Sequence, residues 1–316
     1  MTENIIEIAE TTIEPGIRRR LELPVARLPT QTMLSLPVIV LNGVETGPTL
    51  WLSAAIHGDE INGVEIIRQV LSKVKVKKLR GTLIAVPIVN VFGFIEQSRY
   101  LPDRRDLNRS FPGSAGGSLA GRLADLFIKE IVSKSTHGID LHTGAVHRTN
   151  LPQIRANLED EETYRLANTF GTPIVIHSST RDGSLREAAT KIGIPVLLYE
   201  TGEALRFDRN GIKVGVEGIL RVMSKLNMYS SPDSEIKNAP IEVRKSKWMR
   251  ASRSGIFRLE VGLGDRVVKK QQLGIITDAF GETNIKVKAS IEGIVIGHVQ
   301  NPLVNQGDAI VHLAAI

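Results

Sequence analysis

Short apolar runs that alternate with stretches of helical period constrain this chain more than any other feature. Thr49 to Ile56 (TLWLSAAI) is a continuous apolar run of the buried-strand type. From Asn62 onward Val64, Ile67, Val70 and Leu71 recur at helical spacing. The alternation then repeats. Strands are expected at Thr82–Val89, Gly138–Leu141, Pro173–Ile176 and Pro195–Tyr199, and helices at Ser118–Val132, Glu161–Thr169, Leu185–Ile192 and about Gly211–Leu226. Such a series predicts an α/β fold, a three-layer α/β/α domain around a mostly parallel mixed sheet. Upstream, residues 1–48 read as extended segments, and Leu34–Leu41 is a strand that Pro37 should hold near a sheet edge.

The helical period vanishes after Ser230–Asn238 (SSPDSEIKN), which reads as a linker. Beyond it, Ser254-Gly255-Ile256 leads through Gly264-Asp265 to Leu273–Ile276. Glu292-Gly293-Ile294 leads likewise through Gly307-Asp308 to Ile310–Leu313. The doubled pattern predicts a small all-β module. The division is therefore 1–229 for the α/β domain, 230–240 for the linker and 241–316 for the β module.

Composition narrows the function. Hydrophobic residues make up 42% and charged residues 23%, but aromatics only 4%, so the core rests on Ile, Val, Leu and Ala. Forty basic against thirty-four acidic residues leave a charge of +6. Its visible clusters, Arg18–Arg20 and Lys73–Arg80, lack the interleaved aromatics of a single-strand platform, so no nucleic-acid partner is expected. No apolar stretch is long enough to span a bilayer, and the N-terminus lacks a basic segment followed by an apolar one. A cytoplasmic protein without a membrane partner is the expectation. With no cysteine, any metal site must use His, Asp and Glu.

His57 falls at the end of one expected strand and Glu60 at the start of the next helix. An imidazole and a carboxylate three residues apart suit zinc, and a catalytic zinc site commonly takes three protein ligands. His142, at another strand end, is placed to be the third. The pair alone is weak, because Glu60 is also favoured beside the positive end of any helix. Asp140 lies on the same strand face as His142, either as an orienting partner for an imidazole or as a buried or capping group.

Read together, Ala55-Ile56-His57-Gly58-Asp59-Glu60, Asp106-Leu107-Asn108-Arg109, Asp140-Leu141-His142-Thr143-Gly144 and Glu200-Thr201-Gly202 resemble the succinylglutamate desuccinylase and aspartoacylase family over roughly residues 35–225. Pro87–Gly93 resembles that family's PxxNPxG segment, with Val91 in place of the second proline. The resemblance implies a zinc-carboxypeptidase-like domain with one Zn2+ held by His57, Glu60 and His142. It also implies Glu200 as general base and acid, Arg99 facing the reacting carbonyl, and Asn108 with Arg109 on a substrate carboxylate. Glu203 rivals Glu200, and Arg104 and Arg105 rival Arg99; Asp106 is expected to orient its turn. His147 and His177 are weaker ligand alternatives, and His137, His298 and His312 read as ordinary hydrogen-bonded histidines.

The expected activity is deacylation of an N-acyl amino acid or related small carboxylate substrate. The alternatives are a zinc metallocarboxypeptidase removing a C-terminal residue, an acidic one among the candidates, from a short peptide, and an inactive zinc-binding protein. Specificity is expected from loops near 94–118, 145–157 and 177–184. The C-terminal pattern resembles the lipoyl or biotinyl carrier fold, a barrel-sandwich-like module. Ala279 stands where a carrier lysine would be, so a lid or an assembly surface, as in a homo-oligomer, fits better than covalent carriage.

Overall fold

The computed structural model describes residues 4–230 and 239–316, so most of the expected linker, residues 231–238, lies outside the described residues. Four parallel strands form the heart of the molecule, in the order Arg80–Val86, Glu45–Ala54, His137–Gly144, Val196–Glu203. Along them alternate residues serve opposite faces. Leu50, Leu52 and Ala54 pack against helices Asn62–Lys73, Glu161–Phe170 and Arg209–Lys225. Trp51, Ile84 and Val86 pack against helices Leu119–Glu130 and Leu185–Lys191 on the other side. Two apolar cores thus sandwich one sheet, and the three-layer expectation holds. Most helix starts are capped as the sequence allows: Ser118, Asp160, Ser184 and Asp208 each accept a backbone N–H of the first turn.

Antiparallel strands flank the parallel core. Met33–Asn42 pairs with Arg80–Val86, and Arg18–Arg27 forms the outer edge beyond it. Pro37 therefore sits one strand in from the edge, opposite Glu22. On the other flank lies strand Arg148–Ala156, antiparallel to Val196–Glu203. This corrects the expectation of a loop over 145–157. The strand buries Asn150 and Gln153 and half-buries Arg148 and Arg155, so it lacks the apolar signature by which a strand is recognised.

The outer edge of Arg148–Ala156 is shared. Its second half pairs with Ile174–His177, and its first half pairs with Gly293–Val299 of the C-terminal region. Strand Ile241–Val243 also pairs with Ile174–His177. One thirteen-stranded sheet consequently runs from the α/β layers into the C-terminal β region. The two sequence repeats divide between sheets. Gly293–Val299 and Ala309–Ala314 join the large sheet, and Gly255–Leu259 and Gln272–Thr277 belong to a separate four-stranded sheet. Gly264 and Gly307, the turn glycines of the repeats, both have positive φ. Ala279 lies exposed in the turn between strands Gln272–Thr277 and Asn284–Lys288. No helix among the described residues is long and apolar enough to cross a membrane.

Candidate metal centre and cleft

Strand Glu45–Ala54 ends, and Ala55 takes φ +50°, a left-handed conformation that turns the chain out of the sheet. The Ala54 and Ala55 carbonyls accept the Val89 and Asn90 N–H groups, which seats the loop on the Pro87–Gly93 segment. Gly58 lies so close there that a β-carbon would sit 1.9 Å from the Gly93 carbonyl carbon. The loop thereby carries His57 and Glu60 to the carboxyl end of the parallel strands. His142 arrives on the adjacent strand, and Glu200 pairs with it in register on the next. Ligands of open α/β sheets gather at this end.

His57, Glu60 and His142 are all buried, and one ligand atom from each lies within 4.8 Å of the others. Both Nδ1 atoms face Glu60, at 2.7 Å from Oε1 for His57 and 2.8 Å from Oε2 for His142. The other ring nitrogens meet carboxylates: His57 Nε2 lies 3.1 Å from Asp106, and His142 Nε2 lies 2.7 Å from Asp140. Asp106 thus does more than orient its turn, although it also accepts the Asn108 N–H at 2.9 Å. Asp140 resolves as the orienting partner, with its second oxygen held by Ser53 Oγ at 2.8 Å.

If each Nε2 gives its proton to its carboxylate, both Nδ1 lone pairs point at carboxylate oxygens. Four lone pairs then converge on one buried spot, an arrangement that a divalent cation would relieve. The donor set of two nitrogens and a hard oxygen fits zinc. The same fields act on protons in the bare cluster. Burial lowers the proton affinity of His142, but Asp140 and Glu60 outweigh it and hold its pKa well above the ordinary value. His57 is likewise raised, with Glu60 and Asp106 overcoming burial. Burial pushes Glu60 up, yet the two imidazoles pull it far below the usual carboxylate range, and His57 and Arg99 do the same to Asp106.

A cleft of about 390 Å³ opens beside the cluster, and every residue singled out from the sequence as ligand, base or substrate contact lines it. Arg99 donates to Asp106 at 2.9 Å and stands 3.5 Å from Glu60. Asn108 is buried with its Oδ1 accepting the Leu185 N–H, whereas Arg109 is exposed and donates to the Asn108 carbonyl. Glu200 accepts from Asn150 Nδ2 at 2.9 Å and lies 3.2 Å from Arg155 Nε. The rivals fall elsewhere. Glu203 accepts the His147 N–H away from the cleft, and Arg104 and Arg105 are exposed outside it. His177 accepts the Leu158 N–H, and His137 bonds Thr136 and Glu162.

Several lining residues escaped the sequence reading. Arg148, Arg155 and Arg186 add positive charge, and Trp248 and His312 enter from the C-terminal region. His312 stacks on Trp248 with centroids 4.4 Å apart, and Arg148 lies over the same indole at 5.3 Å. His312 is thus a cleft residue as well as a hydrogen-bonded one. Gln153 and Arg155, two apart on one strand, share the face of Glu200, a signal available only once that strand is recognised.

Comparison with known proteins agrees with this geometry. The chain is 29% identical over 305 residues to the N-alpha-acetyl-L-2,4-diaminobutyric acid deacetylase of Halomonas elongata, spanning 89% of this chain and 86% of that protein. Its fold matches the product-bound ectoine utilization protein EutE (DoeB) from Ruegeria pomeroyi with a TM-score of 0.86, at 21% identity and over 100% of both chains. It also matches a succinylglutamate desuccinylase/aspartoacylase from Rhodobacter sphaeroides with a TM-score of 0.83, at 24% identity over 94% of this chain and 95% of that one. Residues 46–226, more than half of the chain, match the succinylglutamate desuccinylase/aspartoacylase catalytic domain. The protein belongs to the succinylglutamate desuccinylase/aspartoacylase family.

Proposed function

We propose that this protein is a zinc-dependent deacylase that hydrolyses the amide bond of an N-acyl amino acid. The observation that carries the reading is the buried His57–Glu60–His142 cluster with Glu200 paired in register beside His142. Family membership and the likeness to a deacetylase of an N-acetylated diamino acid support it. When bound, zinc would supply a Lewis acid that polarises the amide carbonyl and acidifies a water to a pKa near 7.

The chain's own residues do the rest. His57, Glu60 and His142 hold the ion, and Asp106 and Asp140 fix the imidazole orientations. Glu200 takes a proton from the attacking water and returns it to the departing nitrogen, so one carboxylate serves as base and then acid. Arg99 faces the carbonyl oxygen as negative charge develops on it. Asn108 and Arg109 orient the substrate's carboxylate side. We read the parallel core as carboxypeptidase-like, residues 1–229 and 241–316 as the two units of the chain, and the C-terminal β region as a barrel-sandwich-like unit that walls the cleft. A cleft of about 390 Å³ suits a small substrate better than a peptide tail.

Metal analysis and an amidase screen test the proposal. The purified enzyme should carry about one zinc per chain and release the amine from N-acetyl amino acids faster than it trims short peptides. Faster cleavage of peptides would favour a carboxypeptidase instead, and a metal-loaded protein inert toward both would sink the proposal.

A further inference from the structure

Strand Arg148–Ala156 pairs with Val196–Glu203 on one side and with Gly293–Val299 of the C-terminal region on the other. Asn150 takes part in both ladders, opposite Gly202 and opposite Gly297, and Gln153 stands opposite Glu200. The register shifts between the Gly202 and Glu200 pairs. A regular strand would point Asn150 and Gln153 to opposite faces, but across this bulge both turn their amides to the Glu200 carboxylate.

Glu200 Oε2 collects all of these donors. Asn150 Nδ2 lies 2.9 Å from it, Arg155 Nε 3.2 Å and Gln153 Nε2 3.5 Å. Oε1 takes no hydrogen bond among the described residues. Arg155 Nε lacks the alignment of a hydrogen bond, and Gln153 sits at the distance limit. Asn150 therefore makes the firm contact, and at 8% exposure its amide meets little competing water. The C-terminal region leaves the room for that amide. A β-carbon on Gly297 would lie 2.7 Å from Asn150 Oδ1 and 3.2 Å from the Thr149 carbonyl oxygen. Gly297 does not have positive φ, so close approach, and not backbone conformation, is what calls for glycine there.

A general base must aim one oxygen at the proton it takes. An unheld glutamate carboxylate samples a broad range about its last torsion. We infer that Asn150 is a positioning residue for the general base: it pins Glu200 Oε2 so that Oε1 meets the reacting water, and the C-terminal strand fixes Asn150 in turn through the space at Gly297. The inference rests on the reading of Glu200 as the base of a deacylase. It gives the C-terminal β region a part in catalysis beyond walling the cleft.

Steady-state kinetics of the zinc-loaded enzyme on N-acetyl amino acids compare Asn150→Ala, Gly297→Ala and the pairing of each with Glu200→Gln. Loss of a hydrogen bond to a charged group should lower kcat about tenfold in Asn150→Ala, with KM changed by less than about twofold. Gly297→Ala removes no group that lines the cleft, yet should lower kcat about threefold by displacing the amide. Added to Asn150→Ala, it should cost nothing more. In the Glu200→Gln background each substitution should change kcat by less than about twofold, because the group it acts through is gone. Losses that multiply with that of Glu200→Gln, or that fall on KM, would overturn the inference, as would unchanged kinetics in both single variants. An effect of Asn150→Ala alone would keep the positioning role and remove the C-terminal strand from it. Asn150→Asp, which keeps the shape and loses the donor, carries the same comparisons should Asn150→Ala not fold. Crystal structures give a readout without turnover: the Glu200 carboxylate should hold one orientation in wild type and several in Asn150→Ala. One orientation in both would overturn the inference. Loss of that order, in a protein that deacylates nothing, would keep Asn150 as the residue that positions Glu200 and discard the deacylase reading.

Discussion

The two ends of the cleft are built on opposite rules. Around His57, Glu60 and His142 every ring nitrogen and every Glu60 oxygen has a partner, and the partners are themselves anchored by Ser53, the Thr143 N–H and Arg99. At the other end Arg155, Arg186 and His312 keep idle hydrogen-bonding atoms under burial. A saturated cluster is rigid and holds one geometry, as a metal centre requires. An unsaturated one carries a standing desolvation penalty. The contrast separates a saturated cluster from one with hydrogen-bonding capacity to spare.

The largest test of that contrast removes the carboxylate shared by both imidazoles. Glu60→Gln should abolish stoichiometric metal and drop activity by at least about 10³-fold, measured by metal analysis and amide hydrolysis. Retained zinc and turnover would show that the saturated end is not the ion site. Next, Glu200→Gln should keep the metal while turnover falls about 10² to 10⁴-fold; loss of the metal would mean that Glu200 belongs to the ion cluster. Asp140→Asn should weaken metal affinity about 10- to 100-fold, read by competition with a chelator, with a smaller effect on turnover at saturating zinc.

A pH series sharpens the same comparison. In the metal-free protein His57 and His142 have folded pKa values above their unfolded ones. Their stabilisation is complete below about pH 6.5 and fades as pH rises through the raised values. Glu60 and Asp106 are depressed, so their stabilisation is present above about pH 4.5 and lost as pH falls. Thermal melts in chelator should therefore peak in mildly acidic solution, and added zinc should restore stability most at higher pH, where protons no longer compete. A melt indifferent to pH would contradict the coupled cluster. The smallest expected effect is Trp248→Ala, which frees His312 and Arg148 and should raise KM a few-fold with kcat little changed, checked by steady-state kinetics.

Much of the metal end was legible because its residues sit at the ends of apolar runs. Thr49–Ile56 and Pro195–Tyr199 announce strands, and a histidine or glutamate directly after such a run must emerge at the carboxyl edge of a sheet. The idle end left no such trace. Arg155 lies on a strand whose burial is largely polar, Arg186 on a short helix whose charged residues give no sign of burial, and His312 in a β repeat far along the chain. Asp106 illustrates the intermediate case: its capping role follows from local sequence, but its bond to His57, 49 residues away, does not.

The sequence by itself determined the layers, the helices and the three residues able to grip an ion, because periodicity and motif spacing are local properties of a chain. Only the tertiary structure decided that strand Arg148–Ala156 joins the C-terminal β region to the parallel sheet, and that Trp248 and His312 reach the cleft. Strand pairing across such distances depends on which edges remain open after the core has formed, and open edges are a property of the assembled sheet rather than of any one segment.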